Sequence, residues 1–374
     1  MRYFSKSFVY TVLLLFSVLL LTACGEHVCE WGSWSELEGE AATCTRGGKE
    51  IRVCLSNSDH TEIRDTEPLG HNFGENAEQS RCESCGANML SDKKVIFIGN
   101  SHTYYGGTVN EVAQSMMGLN FRTGDRGYFY HLCKANEVFN ITVTNWTFGN
   151  HSLKDLFSGN CQANRSCGNG ADHFACLTEN NYDYVVFQNG STDGDSIMEW
   201  IDFMMDYFKE GNPDTKFLML VQARAHNDHA NDPQLYTWLS RLSEIESKDV
   251  TIVDWGAVVY DIYSGAVELE GENLLPLNKN SFVIAKSETD GYHPSLLAGY
   301  ITSLMTYCAI TGESAVGQDY SFCSTTHSIS SFVKKNYKIS ETNFPEVFKS
   351  DETMRAIQKL VDDYLAAKKY RNYN

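Results

Sequence analysis

Lys93-Lys94-Val95-Ile96-Phe97-Ile98-Gly99-Asn100-Ser101-His102-Thr103 is the stretch on which the fold turns. Four consecutive apolar residues without polar alternation, closed by Gly-Asn, read as a short strand buried on both faces. Similar runs recur at residues 139–146, 182–187, 216–223 and 250–255. Helical periodicity falls between and after them, at 109–119, from 152, at 196–210, 233–247, 294–311 and 351–370. Strands alternating with helices predict an α/β fold, a three-layer α/β/α sandwich around a central parallel sheet. Ligands of such sheets bind beyond the carboxyl ends of the strands. Ser101 stands there, at the first strand-to-helix turn.

A serine in that turn can be a nucleophile, because the turn exposes its hydroxyl and the next helix offers N–H groups to a developing oxyanion. It can equally be a helix N-cap. A second constellation favours chemistry: Asp290-Gly291-Tyr292-His293-Pro294-Ser295 opens the helical run at 294–311. An Asp three residues before a His can orient the imidazole, leaving its other nitrogen to accept the serine proton.

IFIGNSHTYYGG (residues 96–107) and DGYHPSLLAGY (290–300) together resemble the first and last motifs of the SGNH (GDSL-like) hydrolases. They are most similar to a bacterial branch with GNSxT early and DGxHPS late. The resemblance implies Ser101 as nucleophile, His293 as general base and acid, and Asp290 as its orienting partner. It also implies an oxyanion hole formed by the Ser101 N–H, a glycine N–H after the second strand and an amide after the third. Gly149, in FGNHSLKDLF, has the right context for the glycine. Gln188 is the expected amide, with Asn189 second, and a rigid alignment reaches Thr192 instead. This chemistry requires no cofactor.

The amino terminus reads as an address. Arg2 and Lys6 precede an uncharged apolar run at residues 9–21, too short for a comfortable membrane span, and Leu21-Thr22-Ala23-Cys24 resembles a bacterial lipobox. The expectation is a signal peptide over 1–23, a lipid on Cys24, and a protein exported to the bacterial cell envelope and held on the membrane by its acyl chains. Residues 24–90 read as a Cys-rich surface module and 91–374 as the hydrolase-like domain. Within the module, Gly47-Gly48 before the alternating Lys49–Val53 suggests a hairpin, and ATCTRGGKEIRVC followed by EPLGHNF resembles a small Cys-containing repeat of bacterial surface proteins. Cys82-x-x-Cys85 with Cys44 and Cys54 is compatible with a zinc site or with two disulfides. Trp31 and Trp34 read as a small aromatic core, with a sugar platform as the alternative.

The chain holds 12 cysteines and carries a net charge of −18, from 30 basic and 48 acidic residues. That balance excludes nucleic acid as a partner held by charge. The expected activity is that of a serine esterase acting on a small ester or an acylated glycan, most simply by removing acetyl groups. A glycan-binding lipoprotein and an O-acyltransferase with the same triad are the alternatives.

Overall fold

The computed structural model describes residues 28–74, 79–109, 122–123, 127–149, 151–158, 174, 177, 179–190, 194–222, 237–283, 293–324 and 345–367. Cys24 and the apolar run before it lie outside them, as do Asp290, Thr192 and most of the 109–119 run. Among the described residues, no helix is long and apolar enough to cross a membrane. Two compact units divide the chain between Asn72 and Phe73. The sequence reading ends the Cys-rich module at 90. Residues 79–90 fall instead in the second unit, where Leu90 is fully buried and the Asn88 amide donates to the Tyr307 hydroxyl at 2.9 Å.

In the first unit, β1 (Ser35–Glu36), β2 (Lys49–Cys54) and β3 (Asn57–Asp65) form an antiparallel sheet in that order. Gly47-Gly48 ends the connection between β1 and β2, and a second, tight hairpin between β2 and β3 turns at Leu55-Ser56. Charge complementarity accompanies this pairing: Arg52 Nε donates to Glu62 at 2.6 Å and Arg64 Nε to Glu50 at 2.8 Å across the two strands. Trp31 and Trp34 form no buried aromatic core. The Arg52 guanidinium lies 5.0 Å from the Trp31 ring centre and 4.6 Å from that of Trp34, and Arg64 lies 4.3 Å from Trp34. These rings therefore give their faces to cations on the sheet.

The second unit alternates strands and helices as expected. Its elements are β4 (Lys94–Gly99), α1 (Ser101–Tyr104), β5 (Arg122–Thr123), α2 (Tyr128–Ala135), β6 (Thr142–Thr147), α3 (Leu153–Phe157), β7 (Tyr184–Gln188) and α4 (Ile197–Gly211). There follow β8 (Lys216–Leu220), α5 (Leu242–Glu246), β9 (Val250–Val253), α6 (Trp255–Tyr263), α7 (Lys279–Phe282), α8 (Leu296–Thr311) and α9 (Asp351–Ala366). The sheet runs β5-β6-β4-β7-β8-β9, parallel throughout except for the antiparallel edge strand β5. Strand order thus reverses around β4, the topological switch point at which such sheets build their sites.

Period-two alternation sends β4 into two cores. Val95 and Phe97 join residues of α2, α6, α8 and α9 on one face, and Ile96 and Ile98 join those of α3, α4 and α5 on the other. The arrangement is the expected three-layer α/β/α sandwich. Helix α4 buries Ile197, Met198, Ile201, Met204, Met205 and Phe208, one stripe of a 3.6-residue period. Helix α8 is buried almost all round, including four serine and threonine residues. Thr302, Ser303, Thr306 and Thr311 satisfy their hydroxyls on the carbonyls four residues back, at 2.8, 2.8, 2.7 and 2.9 Å.

The departures are local. The helical pattern at 233–247 resolves, within the described residues, into a 3₁₀ turn at Thr237–Arg241 followed by α5. Trp255, read as the end of a strand, opens α6 because the Asp254 carboxylate caps it, accepting from the Ala257 N–H at 3.0 Å. Helix α2 was not legible: its short apolar face follows directly on Gly127 without a side-chain cap.

Candidate active site

The strand register assembles the site. Gly99, the last residue of β4, pairs with Thr147, the last of β6. Ile98 pairs with Phe187, so Gln188, at the end of β7, falls level with Gly99. The Phe148 N–H donates to the Gly99 carbonyl at 2.9 Å and carries the ladder one step further. Ser101, Gly149 and the Gln188-Asn189 pair therefore leave three adjacent strands at the same carboxyl edge.

Asn100, not Ser101, is the N-cap of α1. Its side-chain oxygen accepts from the His102 N–H at 3.0 Å, its carbonyl accepts from the Thr103 N–H at 2.9 Å, and its amide donates to the His151 carbonyl at 2.9 Å. Ser101 is relieved of the capping role and stands as the first helical residue, half-buried. At that position its N–H has no intrahelical carbonyl to bind. Close packing below requires the glycine before it: a Cβ on Gly99 would lie 2.6 Å from Thr103 Oγ1 and 3.0 Å from Gln188 Oε1.

Gln188 and Asn189 are both buried and both tie the edge together. Gln188 Oε1 accepts from the Asn100 N–H and from the Thr103 hydroxyl, each at 3.2 Å, while its amide N–H donates to the Asn189 carbonyl. Asn189 Oδ1 accepts from the Leu153 N–H at 3.2 Å, and its amide donates to the Gly190 carbonyl at 3.0 Å. Beneath them, Gln222 donates to the Asn189 carbonyl at 2.9 Å and the Trp238 indole to that of Gly190 at 3.0 Å.

The second half of the site comes from the start of α8. Pro294 bridges to Val283, and Ser295 caps α8 while its N–H donates to the Phe282 carbonyl at 2.8 Å and its hydroxyl to the Ser281 carbonyl at 2.6 Å. Helix α8 then meets the chain just past α1, backbone to backbone: a Cβ on Gly299 would overlap the Gly106 carbonyl. Close approach of these two glycines sets the distance between the two ends of the site.

Across that junction, His293 Nε2 lies 2.9 Å from Ser101 Oγ. Two further rings lie almost parallel to the imidazole, Tyr105 at 4.2 Å and 22°, and His102 at 5.0 Å and 19° between ring centres. Asp290, expected to orient this imidazole, lies outside the described residues. A separate cavity of about 790 Å³ runs along edge strand β9, lined by Val250, Thr251, Met305 and Asp362 among others, and includes neither Ser101 nor His293.

No protein-family model matches the chain, and no curated protein matches it. Solved structures of similar architecture are SGNH or GDSL-like esterases and carbohydrate esterases. A catalytic mutant of an acetylxylan esterase from Geobacillus stearothermophilus is 16% identical with a TM-score of 0.38, covering 60% of this chain and 96% of its own. A putative GDSL-like lipase from Parabacteroides merdae is 16% identical with a TM-score of 0.37, covering 60% of this chain and 98% of its own. A family two carbohydrate esterase from Clostridium thermocellum, in complex with cellohexaose, is 13% identical with a TM-score of 0.35, covering 68% and 72%. Values this low carry no inference about activity or substrate, which rest on the atoms of the site.

Two contributors to the site were not singled out from the sequence: the cap Asn100 and the ring of His102. Asn before a helix start is an N-cap signal.

Proposed function

We propose that the second unit is a serine esterase of the SGNH type. The observation that carries this reading is the 2.9 Å contact between His293 Nε2 and Ser101 Oγ at the switch point of the parallel sheet. As the serine oxygen attacks an ester carbonyl, its proton passes to His293 Nε2 and a C–O bond forms to Ser101. The negative oxygen of the tetrahedral intermediate is held by the N–H groups of Ser101 and Gly149 and by an amide N–H of Gln188 or Asn189. Collapse expels the alcohol, which takes the proton from His293. Water, activated by the same imidazole, then releases the acyl group as a carboxylic acid and restores Ser101. Asp290 holds the imidazole through Nδ1 and stabilises its cationic form.

The substrate class is an acylated glycan, with acetyl as the simplest acyl group. It is supported by the motifs at Ser101 and His293 and by the lipobox-like Leu21-Thr22-Ala23-Cys24, which reads as a signal for export to a surface where extracellular glycans are met. Release of acetate from acetylated oligosaccharides, and of p-nitrophenol from its acetate ester, tests the reading. Wild-type protein turns both over; Ser101→Ala turns over neither. Turnover of the simple ester by Ser101→Ala at the wild-type rate would refute it.

A further inference from the structure

The described residues of the first unit build little apolar core. Among its described residues, the buried apolar side chains are Cys44 and Cys54, while Val28, Val53, Leu55, Ile63 and Leu69 are exposed. Small modules with so little to bury are held by disulfides or by a metal. The structure offers a candidate at one end of its sheet.

There, the backbone brings the start of the described chain against the end of β2. The Gly32 N–H donates to the Val53 carbonyl at 2.9 Å and the Leu55 N–H to the Glu30 carbonyl at 2.7 Å. Cys29 is thereby set beside Cys54. The β2–β3 ladder then breaks: Val53 pairs with Thr61 but Cys54 pairs with Asn57, so Ser58, Asp59 and His60 bulge from β3. A bulge re-aims side chains, and this one turns His60 back toward the cysteines. His60 Nδ1 lies 3.2 Å from Cys29 Sγ, and one donor atom each of Cys29, Cys54 and His60 lies within 4.8 Å of the other two.

We propose that Cys29, Cys54 and His60 form a site for a zinc-class divalent cation that fastens this module. Two sulfurs and an imidazole are the donor set that zinc takes. With Zn–S near 2.3 Å and Zn–N near 2.0–2.1 Å, tetrahedral ligands stand about 3.5–3.8 Å apart, the spacing this cluster approaches. On binding, the two thiols lose their protons to solvent and two metal–sulfur bonds form. The imidazole binds neutral, and a water fills the fourth position. The net charge of two thiolates and one divalent ion is zero, which suits the buried Cys54. This site differs from the four-cysteine set considered from sequence, because it takes Cys29 and His60. A disulfide between Cys29 and Cys54 is the rival arrangement, and it has no use for His60.

The test is metal content per chain, by plasma mass spectrometry, on the whole chain purified without chelator and dialysed against zinc. Cys29→Ala and His60→Ala are each expected to lose about one equivalent relative to wild type, and His60→Cys, which restores a ligand, to keep it. Cobalt-loaded wild type should show thiolate-to-cobalt charge-transfer absorption that His60→Ala weakens. Zinc content unchanged by His60→Ala would overturn the proposal. So would loss of the equivalent in His60→Cys, or recovery of a Cys29–Cys54 disulfide peptide from the unreduced protein. Esterase activity does not enter this readout, so the two readings fail separately.

Discussion

His293 Nε2 sits 2.9 Å from Ser101 Oγ, although 192 residues of chain separate them. Neither residue is placed by its neighbours in sequence alone. Ser101 is fixed by the end of β4 and its Asn100 cap, and His293 by the bridge of Pro294 to Val283 and the packing of Gly299 on Gly106.

Removing either member of the pair should remove most of the catalysis. Ser101→Ala and His293→Ala are each expected to lower kcat on a p-nitrophenyl ester by about 10³-fold or more, with KM little changed. The double variant should be no worse than either single one, because the two act as a unit. Steady-state kinetics on the three proteins measure this.

The rings beside His293 should set its orientation. Stacked aromatic contacts contribute about 0.5–1.5 kcal/mol, so Tyr105→Ala is expected to cost up to about tenfold in kcat. Tyr105→Phe, which keeps the ring, should retain wild-type kcat. Equal losses in the two variants would assign the effect to the phenol hydroxyl instead of the stack.

Gly299→Ala tests the junction that spaces the two halves. The added methyl meets the Gly106 carbonyl, so helix α8 or the loop after α1 must shift. Overpacking of this kind costs about 1–3 kcal/mol, and at about 2–4 °C per kcal/mol for a unit of this size Tm should fall by several degrees. Activity measured well below Tm should fall as well, because the shift moves His293 from Ser101.

The pH profile follows from the direction of proton transfer. His293 must be neutral to accept the serine proton, so kcat/KM should decline on the acid side with the slope of a single proton and level off above it. A rate independent of pH across that limb would mean that no histidine base takes part.

Much of this was legible in the chain. The apolar run Val95–Ile98 gave the central strand because residues buried on both faces leave no polar alternation, and the Ser101 and His293 motifs marked the two ends of the site. Asn100 was the less visible element: as a cap it released Ser101, a division of labour that the shared Gly-Asn-Ser string does not reveal. Helix α2 and the earlier change from strand to helix, at Asp254 and Trp255, depended on tertiary packing and on the Asp254 cap. Turn chemistry marks Gly47-Gly48, which falls in the β1–β2 connection, but not the tight β2–β3 hairpin at Leu55-Ser56, which the pairs Arg52–Glu62 and Arg64–Glu50 accompany. The clustering of Cys29, Cys54 and His60 hangs on a bulge in β3, which no spacing rule announces.

Covalent labelling with a fluorophosphonate addresses the central claim most directly, because it needs a serine activated by its base and no knowledge of the natural ester. The account predicts one label per chain, located by peptide mass spectrometry on Ser101 and lost in His293→Ala. Labelling at another serine, or undiminished labelling of Ser101 in His293→Ala, would contradict it.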